Sequence, residues 1–125
     1  MNILLDTHIL IWALENNQKL SKKGRNLIID PDNLIFVSSV SIWEITIKSS
    51  LGKLNVPDNL LEEIKLHRFS ELPISHHHAR AVADLPDLHK DPFDRMLIAQ
   101  ANHEKMSLMT VDENIKLYSV NIAEM

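Results

Sequence analysis

The sequence of 125 residues contains no cysteine. This absence excludes a disulfide framework, a thiolate metal site and a cysteine nucleophile, and it fits a reducing compartment such as the cytoplasm. Basic residues are also in deficit, since 13 Lys and Arg stand against 17 Asp and Glu and give a formal net charge of −4. A protein that binds polyanions indiscriminately is therefore not expected, although an acidic protein can still carry a local basic patch.

Long apolar runs are absent too, and none in the sequence is long enough to cross a bilayer. The stretch NILLDTHILIWALENN is apolar, but it lacks a basic leading region and meets Asp6 early. We expect a core strand followed by a helix here, no membrane association and a cytoplasmic location. With 45% hydrophobic residues and no internal repeat, residues 1–125 are expected to form one domain around one core.

Short apolar runs that suit buried strands alternate with stretches of helical periodicity. Strands are predicted at residues 2–5, 34–39, 70–74 and 107–112, with a final edge strand at 119–125. Helices are predicted at residues 7–14, 21–30, 40–54, 56–69, 75–85 and 92–104. This alternation predicts a three-layer α/β/α domain with a mostly parallel sheet of four to five strands, because parallel neighbours need crossover connections that helices supply.

Local signals suggest where several of these helices begin and end. Ser41 and Glu44 have the spacing of a capping box, and Gly52 is expected to close the same helix. Pro57 and Asp58 are expected at the start of the fourth helix. The next helix is expected to be capped by the serine of SHHHAR.

Three acids near the starts of predicted helices or turns each have a structural explanation when taken singly. Asp6 follows the first predicted strand and can cap the next helix. Glu44 can be the capping-box partner of Ser41, or the ion-pair partner of Lys48 four residues later. Asp112 follows the strand in SLMT and can start the turn into ENIKLY.

The stretch LHKDPFDRMLIAQA holds two more acids in front of an apolar helical pattern. Asp91 has the position of an N-cap, because Pro92 suits the first position of a helix. Asp94 lies in the first turn, where a negative charge interacts favourably with the helix dipole. Each of these acids is explained as a helix starter when taken alone.

Taken together, the acids share a position just after a predicted strand or in the first turns of the following helix. In a parallel sheet such positions lie at the carboxyl edge, where ligand sites form. Carboxylates gathered there raise one another's pKa unless a cation neutralises them. Mg²⁺ and Mn²⁺ prefer oxygen ligands, and such an ion lowers the pKa of bound water and stabilises phosphoryl charge. The set therefore predicts metal-assisted phosphodiester hydrolysis.

Four segments, NILLDTHILIW, VSSVSIWEITIKSSLGKL, LHKDPFDRMLIAQA and LMTVDE, resemble in order the motifs of PIN-domain ribonucleases of the VapC toxin type. The resemblance runs nearly end to end. It implies a PIN-like fold, endonucleolytic cleavage of RNA with Mg²⁺ or Mn²⁺, a homodimer, and a VapB-like antitoxin whose tail blocks the acidic site. The family's acids fall on four positions, called the acid quartet below: Asp6, Glu44, Asp94 and Asp112.

The resemblance also implies roles for these residues. Asp6 and Asp94 would be the principal metal ligands, directly or through water. Glu44 and Asp112 would hold metal-bound waters, orient the nucleophile or bind a second ion, and nothing in the sequence fixes whether one or two metals act. Thr110 is a candidate to hydrogen-bond a ligand water or carboxylate, although threonine also suits a strand for its own sake.

Three neighbouring residues lie outside the quartet. Asp91 belongs to the HKDPFDR form of the motif but does not align with the quartet, so we expect a cap that supports the site from outside. Arg95 adjoins Asp94 and is a candidate for contact with phosphate or for an ion pair on the surface or between subunits. His89 flanks these acids, but no geometric argument places it in the site.

Other histidines and tryptophans have simpler explanations. The three histidines of SHHHAR point in different directions on a helix, so an exposed polar helix start is expected instead of a metal site. Trp12 and Trp43 lie in apolar helical stretches and are expected in the core or at an interface.

Two other functions are open at this point. An aspartate that ends a first strand, as in LLD, also suits an aspartate-based phosphatase or phosphoacceptor domain, but no second acid stands two residues after Asp6. The other alternative is a catalytically inactive PIN-like module that binds RNA or protein. The presence of all four quartet acids argues against this inactive module.

Overall fold

A parallel sheet lies at the centre of the computed structural model, which describes residues 1–125. Its strands are β1 (Asn2–Leu5), β2 (Leu34–Ser38), β3 (Ser70–Leu72) and β4 (Ser107–Met109). They lie in the order β3-β2-β1-β4, and every neighbouring pair is parallel. Leu4 of the central strand β1 pairs with Phe36 on one side and with Leu108 on the other.

Seven α-helices connect and flank the strands. They are α1 (Thr7–Glu15), α2 (Lys22–Ile29), α3 (Ser39–Ser50), α4 (Leu60–Leu66), α5 (His76–Ala81), α6 (Pro92–Glu104) and α7 (Glu113–Lys116), with a 3₁₀ turn at Val82–Asp84 after α5. None of them combines the length and the apolar character needed to span a membrane.

Side chains of the central strand alternate between two apolar layers. Ile3 and Leu5 pack among residues of α1 and α2, whereas Leu4 packs against Leu97 and Ile98 of α6. All five side chains are fully buried, and burial of each contributes about 1.5–3 kcal/mol. Helices therefore cover both faces of a four-stranded parallel sheet, which confirms the predicted three-layer α/β/α fold. The carboxyl end of β1 lies between its neighbours β2 and β4.

The predicted capping box of α3 is wrong. Ser38, the last residue of β2, caps the helix, because its Oγ accepts a hydrogen bond from the backbone N–H of Val40. The side chain of Ser41 is buried, and its Oγ accepts a hydrogen bond from the Thr7 hydroxyl instead. Gly52 lies just beyond the helix with a φ of +72°, as expected of a residue that closes a helix.

The fourth helix is shorter than predicted at both ends. Pro57 and Asp58 lie before it, and Asn59 precedes its first residue in a non-helical conformation without a side-chain cap. At the other end, Arg68 has a φ of 61°, a left-handed conformation that a helix cannot continue through. Backbone geometry on both sides therefore confines α4 to one short segment.

The final edge strand predicted at residues 119–125 is wrong in extent. A single parallel bridge joins Leu108 to Ile122, through hydrogen bonds of Leu108 to Asn121 (2.7 Å) and of Ala123 to Leu108 (2.9 Å). The neighbouring β4 has only three residues, so it offers little edge for longer pairing. The turn predicted after Asp112 is the short helix α7.

The start of α5 also differs from the expectation of an exposed polar segment. His76 and His77 are exposed, but His78 is only 2% exposed. Its Nδ1 accepts a hydrogen bond from the backbone N–H of Ser75, and its Nε2 lies 2.8 Å from a carboxylate oxygen of Glu104 on α6. Packing of α5 against α6 therefore buries the third histidine as a structural residue.

The two tryptophans have different surroundings. Trp12 is partly buried against the core, as predicted. Trp43 is 58% exposed, which excludes a core position, and its ring meets the edge of Phe93 at a centroid distance of 5.4 Å. An interface role for Trp43 stays a prediction.

Candidate active site

Asp6 follows the central strand directly and caps α1. Its Oδ1 accepts a hydrogen bond from the backbone N–H of Ile9 at 2.8 Å, and its own N–H donates to the Met109 carbonyl of β4 at 3.1 Å. Burial raises the pKa of Asp6; the Thr110 hydroxyl and the Ile9 N–H oppose the rise, and the charge of Asp112 adds to it. The predicted cap role is present, and the same carboxylate lies within the electrostatic reach of a second quartet acid.

Asp94 occupies the third position of α6. The Oδ1 of Asp91 caps that helix by accepting hydrogen bonds from the N–H groups of Phe93 (2.9 Å) and Asp94 (3.2 Å). Burial and the charges of Asp91, Asp112 and Glu44 together raise the pKa of Asp94 to about 6, against a hydrogen bond with His89 that lowers it. Asp94 is therefore the acid whose pKa is raised by three neighbouring carboxylates.

Glu44 is buried on α3 with one oxygen paired and one unpaired. Its Oε2 accepts a hydrogen bond from the ammonium group of Lys48, which is the ion pair predicted from their spacing. Its Oε1 has no hydrogen-bond partner. The bond to Glu44 raises the pKa of Lys48, burial opposes this, and the charges of Asp91 and Asp94 raise it further. A buried carboxylate oxygen without a partner is costly, and a cation or a water molecule can satisfy it.

Asp112 and Thr110 complete the edge after β4. The Asp112 carboxylate caps α7 by accepting a hydrogen bond from the N–H of Asn114 at 2.8 Å. Its own N–H donates to the Thr110 hydroxyl at 3.0 Å, and Thr110 is buried. Since the charge of Asp112 raises the pKa of both Asp6 and Asp94, this capping acid lies on the same side of the sheet as they do.

The fold thus gathers the acid quartet at the carboxyl edge of β1, β2 and β4, with Asp91 and Lys48 beside it. No three of the histidine, aspartate and glutamate side chains form a ready-made metal site. The donor set nevertheless fits a hard divalent ion, because it supplies only carboxylate oxygens, an excess of negative charge and the orphaned Oε1 of Glu44. Mg²⁺ in particular keeps several waters and binds through one or two carboxylates, so it does not need a closed cage of protein ligands.

Arg95 is turned toward its own chain. Its Nη1 donates to the Pro86 carbonyl at 2.8 Å and to the Tyr118 hydroxyl at 3.1 Å, and its Nη2 donates to the Val82 carbonyl at 3.4 Å. The guanidinium group therefore fastens the loop before α6 through hydrogen bonds to oxygens of the protein itself, and a contact of Arg95 with phosphate stays a prediction.

His89 contacts both Asp94 and Tyr118, and the sequence did not indicate either contact. The Nε2 of His89 lies 3.3 Å from Oδ2 of Asp94, and its Nδ1 lies 2.8 Å from the Tyr118 hydroxyl. His89 stands close to Asp94 in the sequence, which was a usable signal. The loop that turns its ring back toward α6 and the distant Tyr118 follow no periodic pattern.

Several solved structures share this fold over nearly the whole chain. A chain of the VapBC2 complex of Rickettsia felis bound to a DNA fragment from its promoter has a TM-score of 0.74 at 17% identity, covering 99% of this chain and 98% of that one. A chain of the DNA-bound VapBC complex of Salmonella typhimurium has a TM-score of 0.70 at 15% identity, covering 99% of this chain and 97% of that one. The PIN domain endonuclease Utp24 has a TM-score of 0.56 at 16% identity, covering 98% of this chain and 96% of that one.

The likeness to these structures, at such low identity, shows a common fold. No curated protein sequence matches this chain. A family model described as PIN domain matches residues 3–121, which is nearly all of the sequence. The chain therefore belongs to the PIN-domain family.

Proposed function

We propose that this protein is a metal-dependent endoribonuclease and the toxin of a toxin–antitoxin pair. PIN domains are generally nucleases, and the similar Utp24 is an endonuclease. The observation that carries the proposal is the acid quartet at one sheet edge, in which Asp94 has a pKa near 6 and Glu44 keeps an unpartnered buried oxygen. Such an edge attracts a divalent cation and through it a phosphodiester.

In this proposal each quartet acid has a defined task. Asp6 and Asp94 would hold the ion, directly or through water, and Glu44 and Asp112 would hold its waters or orient the nucleophile. Bound Mg²⁺ or Mn²⁺ supplies a lowered water pKa and stabilises negative charge on the phosphoryl and leaving oxygens. Thr110 keeps the backbone of Asp112 in place through its hydroxyl, and Asp91 fixes the turn from which Asp94 extends.

Cleavage of a fluorescent single-stranded RNA tests this function. We expect cutting with Mg²⁺ or Mn²⁺ and none with excess chelator, and we expect Asp94→Asn to slow it by about 100-fold or more because a metal ligand is lost. Asp58→Asn is the matched control, since it makes the same change at an exposed acid outside the site. A DNA oligonucleotide of equal sequence tests the preference for RNA.

Wild-type rates in Asp94→Asn would contradict the proposed mechanism. Failure of the wild-type chain to cleave any RNA or to gain thermal stability with Mn²⁺ would instead favour a binding module without catalysis, because a ligand of the native state must stabilise it.

A VapB-like antitoxin and a second copy of the chain are the proposed partners. Support for the antitoxin comes from the similar folds, which belong to VapBC complexes of other bacteria. The proposed place of action is the cytoplasm, where an RNase toxin meets its substrate. Co-purification with the product of a neighbouring small reading frame, and light scattering of the separated chain, test the two partners. A monomer at micromolar concentration would overturn the homodimer.

A further inference from the structure

We infer that His89 is a positioning residue that donates a hydrogen bond to Asp94, and that Tyr118 and Arg95 hold its ring in the tautomer able to do so. The inference rests on the proposed function in one respect, which is that Asp94 is a metal-binding acid. The hydrogen-bond arrangement itself follows from geometry alone.

The Tyr118 hydroxyl is the starting point because its two lone pairs are already used. The backbone N–H of His89 donates to this oxygen at 3.1 Å, and Nη1 of Arg95 donates to it at 3.1 Å. Both groups are donors only, and the guanidinium group does not lose its proton in proteins. A phenolic oxygen that accepts two hydrogen bonds has only its own O–H left to offer.

That O–H is directed to the His89 ring. Nδ1 of His89 lies 2.8 Å from the Tyr118 oxygen, whereas the only competing acceptor, the His89 carbonyl, lies 3.5 Å away. A proton on Nδ1 would be a third donor aimed at a filled oxygen. Nδ1 is therefore the acceptor, and the proton of the neutral ring is on Nε2.

With its proton on Nε2, the ring donates to Asp94. Nε2 lies 3.3 Å from Oδ2 of Asp94, and the two side chains are only 16% and 17% exposed. Tyr118 is buried at 4% exposure, so the centre of the chain of contacts from Arg95 through Tyr118 and His89 to Asp94 is shielded from solvent, while the other three side chains are partly buried. One oxygen of Asp94 is committed to His89, and the other takes no hydrogen bond within the chain.

Such a donor has a task at this position because the charges of Asp91, Asp112 and Glu44 all repel Asp94. An N–H donated to Oδ2 offsets that repulsion and fixes the carboxylate orientation. Partners that orient a ligating carboxylate typically affect metal affinity by about 10- to 100-fold. Through Tyr118 and His89, Arg95 thus serves the site without touching Asp94 itself.

The tautomer is tested first, in metal-free protein labelled with ¹⁵N at pH 8. We expect the ring nitrogens of His89 to show the pattern of a proton on Nε2, assigned by its loss in His89→Gln. In Tyr118→Phe the donor to Nδ1 is missing, so the pattern should move toward a mixture of tautomers. A proton on Nδ1 in the wild-type chain would overturn the inference and would leave the proposed function untouched.

The positioning role is tested by Mn²⁺ titration calorimetry. We expect His89→Ala to weaken Mn²⁺ binding by about 10-fold or more, and His89→Gln to stay within about 3-fold of wild type because its amide N–H replaces the Nε2 donor. His76→Ala, at an exposed histidine outside the site, is the control, and melting curves verify that each variant is folded.

Equal losses in His89→Ala and His89→Gln, or no loss in His89→Ala, would overturn the positioning role. A wild-type chain with the expected tautomer that binds no Mn²⁺ would contradict the proposed function, and with it the part of His89 in orienting a metal ligand. The two failures are distinguishable because the tautomer is measured without metal.

Discussion

At Asp94 the helix favours a negative charge, whereas burial and the neighbouring acids disfavour it. A negative charge in the first turn of α6 interacts favourably with the helix dipole. Burial and the charges of Asp91, Asp112 and Glu44 nevertheless raise the pKa of Asp94 from its ordinary 3.8 to about 6. The folded chain therefore keeps a proton on Asp94 at pH values where the unfolded chain has lost it.

This difference predicts a pH-dependent effect of Asp94→Asn on the metal-free protein. The raised pKa adds stability below about pH 4 that is lost as the pH rises through about 6, since only the folded state resists ionisation. At pH 7.5 the variant should thus be more stable than wild type by about 1 kcal/mol, a discounted figure because the carboxylate is partly exposed to solvent. Urea unfolding in chelator measures the difference.

At pH 4 the two proteins should unfold at nearly the same urea concentration. Asp58→Asn, the same change at an exposed acid outside the site, is the control. If Asp94→Asn were less stable than wild type at pH 7.5, charge repulsion at the sheet edge would be weaker than proposed.

The candidate acids could be predicted from the sequence because each follows a recognisable strand or starts a helix, so local rules place it at the carboxyl edge. Asp6 and Asp91 cap helices as their positions suggested, whereas Asp112, expected to start a turn, caps the short helix α7. The contact of His89 with Tyr118 could not be predicted, because it joins two irregular segments whose relative placement depends on the packing of Tyr118 into the core.

Among the elements, α6 is set by its own sequence. Asp91 accepts hydrogen bonds from two N–H groups of the first turn, Pro92 fits the first position, and Leu97, Ile98 and Ala101 supply the buried face. These signals are all local, which explains why its predicted bounds are confirmed.

The cap of α6 yields a second prediction. Asp91→Ala should lower the free energy of unfolding by about 1 kcal/mol, because two first-turn N–H groups lose their acceptor, whereas Asp91→Asn keeps the cap and should change it little. Both variants should cleave RNA within a few-fold of wild type when assayed well below their melting temperatures. Urea unfolding at pH 4, where repulsion with Asp94 is small, isolates the cap.

A loss of cleavage in both Asp91 variants as large as that of Asp94→Asn would show that Asp91 acts in the reaction. The assignment of Asp91 to the helix cap and of Asp94 to the site would then be wrong.

Helix α3 shows the opposite case, since its start depends on distant residues. Ser38 caps it while its hydroxyl donates to Oε1 of the fully buried Gln100 at 2.5 Å, and Ser41 is held by Thr7 of α1. The capping-box pattern of Ser41 and Glu44 is locally plausible. It is wrong because a buried amide on α6 fixes the chain one turn earlier.

At the scale of the whole molecule, the acids come from segments that only the complete sheet brings together. Asp6 follows β1, Glu44 lies on the helix after β2, and Asp112 follows β4. No local segment contains the site, and its negative charge opposes folding in the absence of a cation. A metal ion that binds there must therefore stabilise the domain as a unit, and it must compete with protons for Asp94, whose pKa is raised to about 6.

The last prediction follows from this competition between metal and protons. Mn²⁺ at about 100 times its dissociation constant should add about 2.7 kcal/mol to the stability of the folded chain. The resulting rise in melting temperature should be large at pH 7.5 and much smaller at pH 5, since Asp94 with a pKa near 6 is then mostly protonated. Thermal scans at fixed Mn²⁺ measure it, with Asp58→Asn following the wild type and Asp94→Asn losing most of the rise. An equal rise at both pH values, or one that persists in Asp94→Asn, would place the ion away from the acid quartet.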